Sequence, residues 1–221
     1  IRMICPEHEF LTRALAYGLS GSMREELIFE AYGSGSNGKS KLFECVKGIM
    51  GDYATGFSSN ALVRSRNAED TKELAKLRGK RFALAEEIRA GTAWDEEKVK
   101  NLTSASALTV KLMRENAVEV VAQQKVFVTT NYTPILDGTD YAMSRRIALI
   151  NFPRRLEDHE KDVDLPAKLK AEWPGILAKL ILGARDWLAG GIRIPDSIRK
   201  GVADYMAEHD EIQLWIDERC V

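Results

Sequence analysis

Apolar positions along the chain switch repeatedly between helical and strand spacing, and the switches predict an alternation of helices and strands. Residues 7–19 carry Phe10, Leu11, Leu15 and Leu19 at the three- and four-residue intervals that line one helix face, with Gly21 just beyond. Residues 27–32 form an apolar run of strand length, and 41–50 return to helical spacing. Residues 51–60, rich in Gly, Ser and Asn, read as a loop. A helix over 68–77 directs Leu74 and Leu77 inward and ends at Gly79. The short apolar run 81–85 ends in Glu86-Glu87, and 95–102 reads as a helix whose first turn is acidic, as the helix dipole favours. Two β-rich runs, 108–113 and 117–121, flank a charged tip and predict a hairpin. Residues 125–130 make the strongest strand of the chain, and 147–152 make another. From Leu165 the spacing is helical, with Pro174 as a break or a first-turn residue and Gly190-Gly191 as the close; a last helix is expected over 195–218.

The stretch Gly33-Ser34-Gly35-Ser36-Asn37-Gly38-Lys39-Ser40 sits between the first strand and the second helix. It fits the phosphate-loop pattern of a glycine, four residues and Gly-Lys-Ser. Its glycines permit backbone angles that turn successive N–H groups toward phosphate oxygens, and the following helix adds its positive dipole end. Lys39 is expected to reach the β- and γ-phosphates, and the Ser40 hydroxyl to bind Mg²⁺. Acidic residues ending an apolar strand downstream of such a loop are suited to holding Mg²⁺ through water and polarising the attacking water, which nominates Glu86 and Glu87. Neighbours on a strand point to opposite faces, so which of the two is nearer the metal stays open. Asn131, at the end of the 125–130 strand, is placed to orient water, although Asn131-Tyr132-Thr133-Pro134 also has turn composition. Arg145-Arg146 precede the last strand, either as a surface pair or as an arginine finger for a neighbouring subunit's nucleotide. Lys111 and Arg114, near the hairpin tip, are either solvated or in contact with a DNA backbone.

Composition narrows the classes. The chain has 221 residues, 45% hydrophobic and 29% charged, with a net charge of −1, so no overall basicity announces nucleic acid. Its three cysteines, Cys5, Cys45 and Cys220, form neither a metal-ligand pair nor a disulfide framework, which fits a reducing cytoplasm. The most apolar region, 175–192, is interrupted by Lys179, Arg185 and Asp186 and reads as a packed helix, not a membrane span. A start at Ile1 suggests a piece of a longer protein.

The ordered set resembles superfamily 3 helicases, in particular the helicase domain of phage and plasmid primase-helicases. The likeness covers nearly the whole chain: Tyr32 through Ser40, Gly79-Lys80-Arg81-Phe82 leading into Glu86-Glu87, 95–103, Thr129-Thr130-Asn131, Arg145-Arg146-Ile147, 172–177, and Tyr205 to Asp210. The resemblance implies an AAA+-like P-loop ATPase of the α/β class, with a central parallel sheet flanked by helices, a β-hairpin insertion and helical segments at both ends. It implies a lead-in over 1–24, an ATPase core over 25–155 with a pore hairpin near 107–122, and a helical segment over 156–221. It further implies ATP and Mg²⁺ as ligands, a ring of copies, usually a hexamer, around single-stranded DNA, 3′-to-5′ translocation at a replication fork, and a bacterial or phage-infected cytoplasm. Lys39 and Ser40 match the phosphate-loop residues, Glu86 and Glu87 the acidic pair, and Asn131 the sensor. Arg146 matches the trans-acting arginine, with Arg145 as the alternative, and Lys111 and Arg114 fall in the pore hairpin. Ser104-Ala105-Ser106 departs from the Gly-Gly-Asp usual in relatives, and Lys111 stands where arginine is usual. An ATP-binding loader or scaffold that unwinds little, and a stand-alone P-loop nucleotidase or kinase, are the competing readings.

Overall fold

The computed structural model describes residues 1–63, 68–86, 92–105, 107–110, 118–132 and 141–208. Along the chain run α1 (His8–Tyr17), β1 (Ile28–Tyr32), α2 (Lys39–Met50), β2 (Ala54–Ser58), α3 (Ala68–Ala75), β3 (Phe82–Glu86), α4 (Glu96–Thr103) and β4 (Ala107–Val110). There follow β5 (Val118–Val121), β6 (Lys125–Thr130), α5 (Tyr141–Ser144), β7 (Ile147–Asn151), α6 (Leu165–Ala171), α7 (Trp173–Gly190) and α8 (Asp196–Glu208). Five strands pair in the order β2-β3-β6-β1-β7, all parallel, and β4 and β5 form a separate antiparallel pair. This is the expected α/β fold, with helices on both faces of one parallel sheet.

Strand periodicity divides the core in two. Phe29 and Ala31 of β1, Phe82 and Leu84 of β3, Phe127 of β6 and Ile150 of β7 face α1, α2 and α7, where Phe10, Leu15, Phe43, Val46, Leu180 and Trp187 meet them. Ile28, Ala83, Val126, Val128 and Leu149 face the other way, toward Trp94, Val99, Leu102, Val202 and Tyr205. Phe127 is the hub of the first layer, its ring centroid 4.9 Å from Phe29, 4.7 Å from Phe82 and 5.7 Å from Phe43. At the amino end of β6, buried Lys125 donates to the carbonyls of Ser20 and Gln123 and lies over the Tyr17 ring.

One expectation changes. Part of the stretch read as a 51–60 loop is the edge strand β2, which pairs with β3 from Ala54↔Phe82 to Ser58↔Glu86. Only Phe57 of β2 is buried, so its pattern lacks the apolar run that marks the other strands. The helical region after 165 is two helices, and Pro174 lies in the first turn of α7, where its missing N–H costs nothing. The last helix is described only to Glu208, and 209–218 lie outside the described residues. The hairpin strands are present, but its tip, with Lys111 and Arg114, lies outside them too. Among the described residues, no helix is long and apolar enough to cross a membrane, and no group of three or more His, Cys, Asp or Glu is placed to hold a metal ion.

Glu30 interrupts the second core layer. It is 0% exposed in the middle of β1, and neither carboxylate oxygen has a hydrogen-bond partner among the described residues. Burial pushes its carboxyl up to about 8, from an ordinary value of 4.5. The folded state thus keeps a proton that the unfolded state releases, and Glu30 lowers stability progressively as pH rises from about 4.5 to about 8. Glu30→Gln is expected to flatten that part of the pH profile. Urea midpoints at pH 5 and pH 8 check this: the wild type loses stability between them, and the variant loses less. An equal loss in both would contradict the assignment.

Candidate functional site

The parallel sheet brings its strand ends to one edge. The register aligns Tyr32 of β1 with Thr130 of β6 and with Asn151 of β7, Thr129 of β6 with Glu86 of β3, and Glu86 with Ser58 of β2. In open α/β sheets this carboxyl edge is where ligands bind.

Between β1 and α2 the backbone makes a tight loop with positive φ at Gly33 (151°), Gly35 (85°), Ser36 (47°) and Gly38 (82°). A Cβ on Gly33 would collide with the Phe152 carbonyl oxygen, so this position requires glycine for space as well as for angle. The loop is tied to the exit of β7: the Asn37 side-chain amide donates to Phe152 O at 3.2 Å, and Leu156 N donates to Ser36 O at 2.7 Å.

Lys39 begins α2 and is 5% exposed. Its ammonium donates to Gly33 O at 2.7 Å, and burial pulls it down to about 8. A cation in the first turn of a helix opposes the helix dipole, and no acidic residue in that turn offsets it. In isolation the arrangement costs stability; an anion seated at the loop would reverse the sign. That is the observation by which the residues fit a bound triphosphate.

Around the loop lies a cleft of about 510 Å³ lined by Lys39, Ser40, Ser58, Ser59, Asn60, Glu86, Thr129, Thr130, Asn131 and Tyr132. Lys39 is the one cation among these lining residues, facing one carboxylate, Glu86, in an otherwise hydroxyl- and amide-rich wall. The Asn131 side-chain oxygen lies 3.8 Å from the point where a Gly35 Cβ would sit, so the end of β6 faces the loop directly. Lys39, Ser40, Glu86 and Asn131, nominated from three separate stretches, therefore converge, with Gly33 to Gly38 forming the turn beside them. Glu87 lies outside the described residues.

Ser58, at the end of β2, and Ser59 and Asn60, in the turn after it, lie in the polar 51–60 stretch and carry no motif that nominates them. The polar run after Phe57 at a fifth strand end was the signal available. Ser58 N donates to the Glu73 carboxylate of α3 at 2.8 Å, which fixes this wall of the cleft.

The two arginines do not join the cleft of their own chain. They precede β7, which pairs with β1 from Ile28↔Ile147 to Tyr32↔Asn151, so they stand at the amino edge of the sheet. Five residues of strand, on the order of 16 Å, separate that edge from the loop. The Arg146 guanidinium donates to Ala142 O and to the Glu26 carboxylate, each at 3.0 Å, and its side chain is 14% exposed. Arg145 is exposed and borders an apolar groove of about 720 Å³ between the start of β7 and α8, together with Arg199, Ile198, Val202 and Met206.

The molecule is thus an α/β protein with a phosphate-loop-like turn at the carboxyl edge of a five-stranded parallel sheet. The chain belongs to the family described as a family of unknown function (DUF5906), whose model matches residues 31–146, from the end of β1 to the start of β7. Among curated proteins it is similar to one named "Putative helicase L207/L206" of Acanthamoeba polyphaga mimivirus, 25% identical over 96% of this chain and 24% of that one. It is also similar to "Putative primase C962R" of African swine fever virus (24% identical, 62% of this chain, 14% of that one) and to "Primase D5" of fowlpox virus (24%, 70% and 20%). The chain thus spans a quarter or less of the length of each of these curated relatives. The apo C-terminal region of NrS-1 shares the fold, with a TM-score of 0.64 at 16% identity over 89% of this chain and 46% of that one.

Proposed function

We propose that this chain is the ATP-hydrolysing motor core of a replication protein of the helicase–primase kind, working as a ring of copies on single-stranded DNA. One observation carries the reading: buried Lys39, held against the helix dipole, opens into the same cleft as Ser40, Glu86 and Asn131. The similarity to viral proteins named as helicase and primase supports the replication setting.

In this reading ATP supplies the phosphoryl group that passes to water. The loop N–H groups and Lys39 bind its phosphates, Ser40 and Glu86 hold Mg²⁺, and Glu87 and Asn131 orient and activate the water. With Lys39 as the one cation among the described residues lining the cleft, charge on the transferring group calls for a further cation, and the sheet geometry keeps Arg145 and Arg146 from supplying it in cis. A second copy supplies it. Arg145 is the better placed of the two, because it is exposed, whereas the Arg146 side chain is only 14% exposed. Such a cation is worth roughly 10³–10⁵ in rate in characterised GTPases.

Subunit mixing tests this. Lys39→Ala and Arg145→Ala proteins are each expected to be nearly inactive in DNA-stimulated ATP hydrolysis, and their mixture is expected to regain part of the rate. The regain comes from interfaces that set an intact Lys39 beside an intact Arg145. A mixture that stays dead confines the site to one chain, and hydrolysis without strand separation favours the loader reading.

A further inference from the structure

A second cleft adjoins the first. It encloses about 400 Å³ between the first half of α2 and the α6–α7 corner, and Ser40 lines both clefts. Its walls are Ser40, Lys41, Glu44 and Cys45 on one side and Pro166, Leu169, Lys170 and Trp173 on the other. Trp173 is pinned in place. A Cβ on Gly48 would come within 2.5 Å of the indole ring, so glycine is what lets the ring lie against α2. The Lys170 ammonium stands 5.8 Å from the ring centroid. The Glu44 carboxylate is paired with Lys47 at 3.0 Å, which leaves the interior mainly apolar and aromatic with cations at its margin.

We propose that this second cleft takes the heterocyclic base of the nucleotide whose phosphates occupy the loop. The inference rests on the nucleotide reading above and assigns residues that the phosphate-loop motif does not reach. A triphosphate seated at the start of α2 has two directions in which to extend. One leads deeper into the Glu86–Asn131 cleft, whose lining is hydroxyl, amide and carboxylate. The other leads across Ser40 and Lys41 into an aromatic-walled space. A base is flat, has apolar faces and stacks on aromatic rings, so it partitions into the second. Leu169 and Pro166 supply apolar contact opposite α2, and Lys170 sits beside the indole at the margin. Stacking tolerates any base, so the cleft as built favours purines over pyrimidines by contact area more than by hydrogen bonding.

Two probes separate this proposal from the reading beneath it: Mg²⁺-ATP, and Mg²⁺ with inorganic tripolyphosphate, which has the phosphates and no base. The variants are Trp173→Leu and Leu169→Asp; Leu169 is half-buried on a helix with no fully buried residue, so this second substitution spares the fold. Wild type is expected to bind ATP more tightly than tripolyphosphate. Both variants are expected to weaken ATP by about tenfold to a hundredfold, the size of one lost base–aromatic stack, with tripolyphosphate affinity unchanged. Indole fluorescence is expected to respond to ATP and not to tripolyphosphate in wild type, and to lose that response in Trp173→Leu. Equal affinity of wild type for the two probes, or ATP affinity untouched in both variants, overturns the base site while leaving the phosphate site standing. Variants that weaken both probes alike overturn it as well. Wild type that binds neither probe sinks the nucleotide reading itself.

Discussion

Replacing Lys39 with alanine is expected to lower ATP turnover by about 10²- to 10³-fold, the range seen when one preorganised donor to a developing negative charge is removed. The same substitution is expected to leave the unfolding midpoint unchanged or to raise it. Both halves follow from the placement of one side chain. The ammonium is buried in the first turn of α2, it donates to the Gly33 carbonyl, and its proton affinity is depressed by lost solvation. A buried cation at the positive end of a helix gives the empty fold little, and alanine is the better helix former. Activity and stability therefore move in opposite directions. The pair of measurements is steady-state hydrolysis and urea denaturation on the same preparation. Lost activity accompanied by lost stability would make Lys39 a structural residue.

Phe127→Ala carries the largest expected cost to folding, about 3–5 kcal/mol, the usual range for deleting a fully buried phenylalanine. Phe127 is 0% exposed in the central strand β6, stacked between Phe29 and Phe82 with Phe43 across from it. These rings sit on β1, β3 and α2, so the cavity would open where the three elements that build the cleft meet. Against a typical total stability of about 5–15 kcal/mol, such a loss is expected to lower the thermal midpoint by on the order of 10 °C. Phe127→Leu keeps most of the volume and is expected to cost less than half as much. Urea titration with an unchanged slope checks the pair; a loss below about 1 kcal/mol for the alanine variant would show that the ring stack is not the centre of the core.

The same contrasts explain what could be read from the chain. Strands β1, β3, β6 and β7 are buried on both faces, and a two-sided burial writes an unbroken apolar run. Strand β2 lies at the sheet edge with only Phe57 buried, so its Gly56 and Ser58 read as loop. The phosphate-loop turn was legible because its constraints are local: particular glycines at particular backbone angles, next to one lysine. The opposite wall of the cleft was not, since Ser58 to Asn60 reach Glu86 only through strand pairing. The pairing of Arg146 with Glu26 was not legible either, since Glu26 lies 120 positions away and has no local signature. Glu30 is the reverse case. A glutamate inside the apolar 27–32 run carries no sign of its surroundings, yet both faces of β1 are covered, and its carboxylate has no hydrogen-bond partner among the described residues.

The claim on which the account turns is that the cleft at the carboxyl edge of the sheet receives a nucleoside triphosphate with its Mg²⁺. Calorimetric titration of Mg²⁺-ATP into the wild-type chain and into Lys39→Ala tests it most directly. The account predicts saturable binding of one nucleotide per chain in the wild type and its loss in the variant. Identical heats from the two proteins, or none from the wild type, would contradict it.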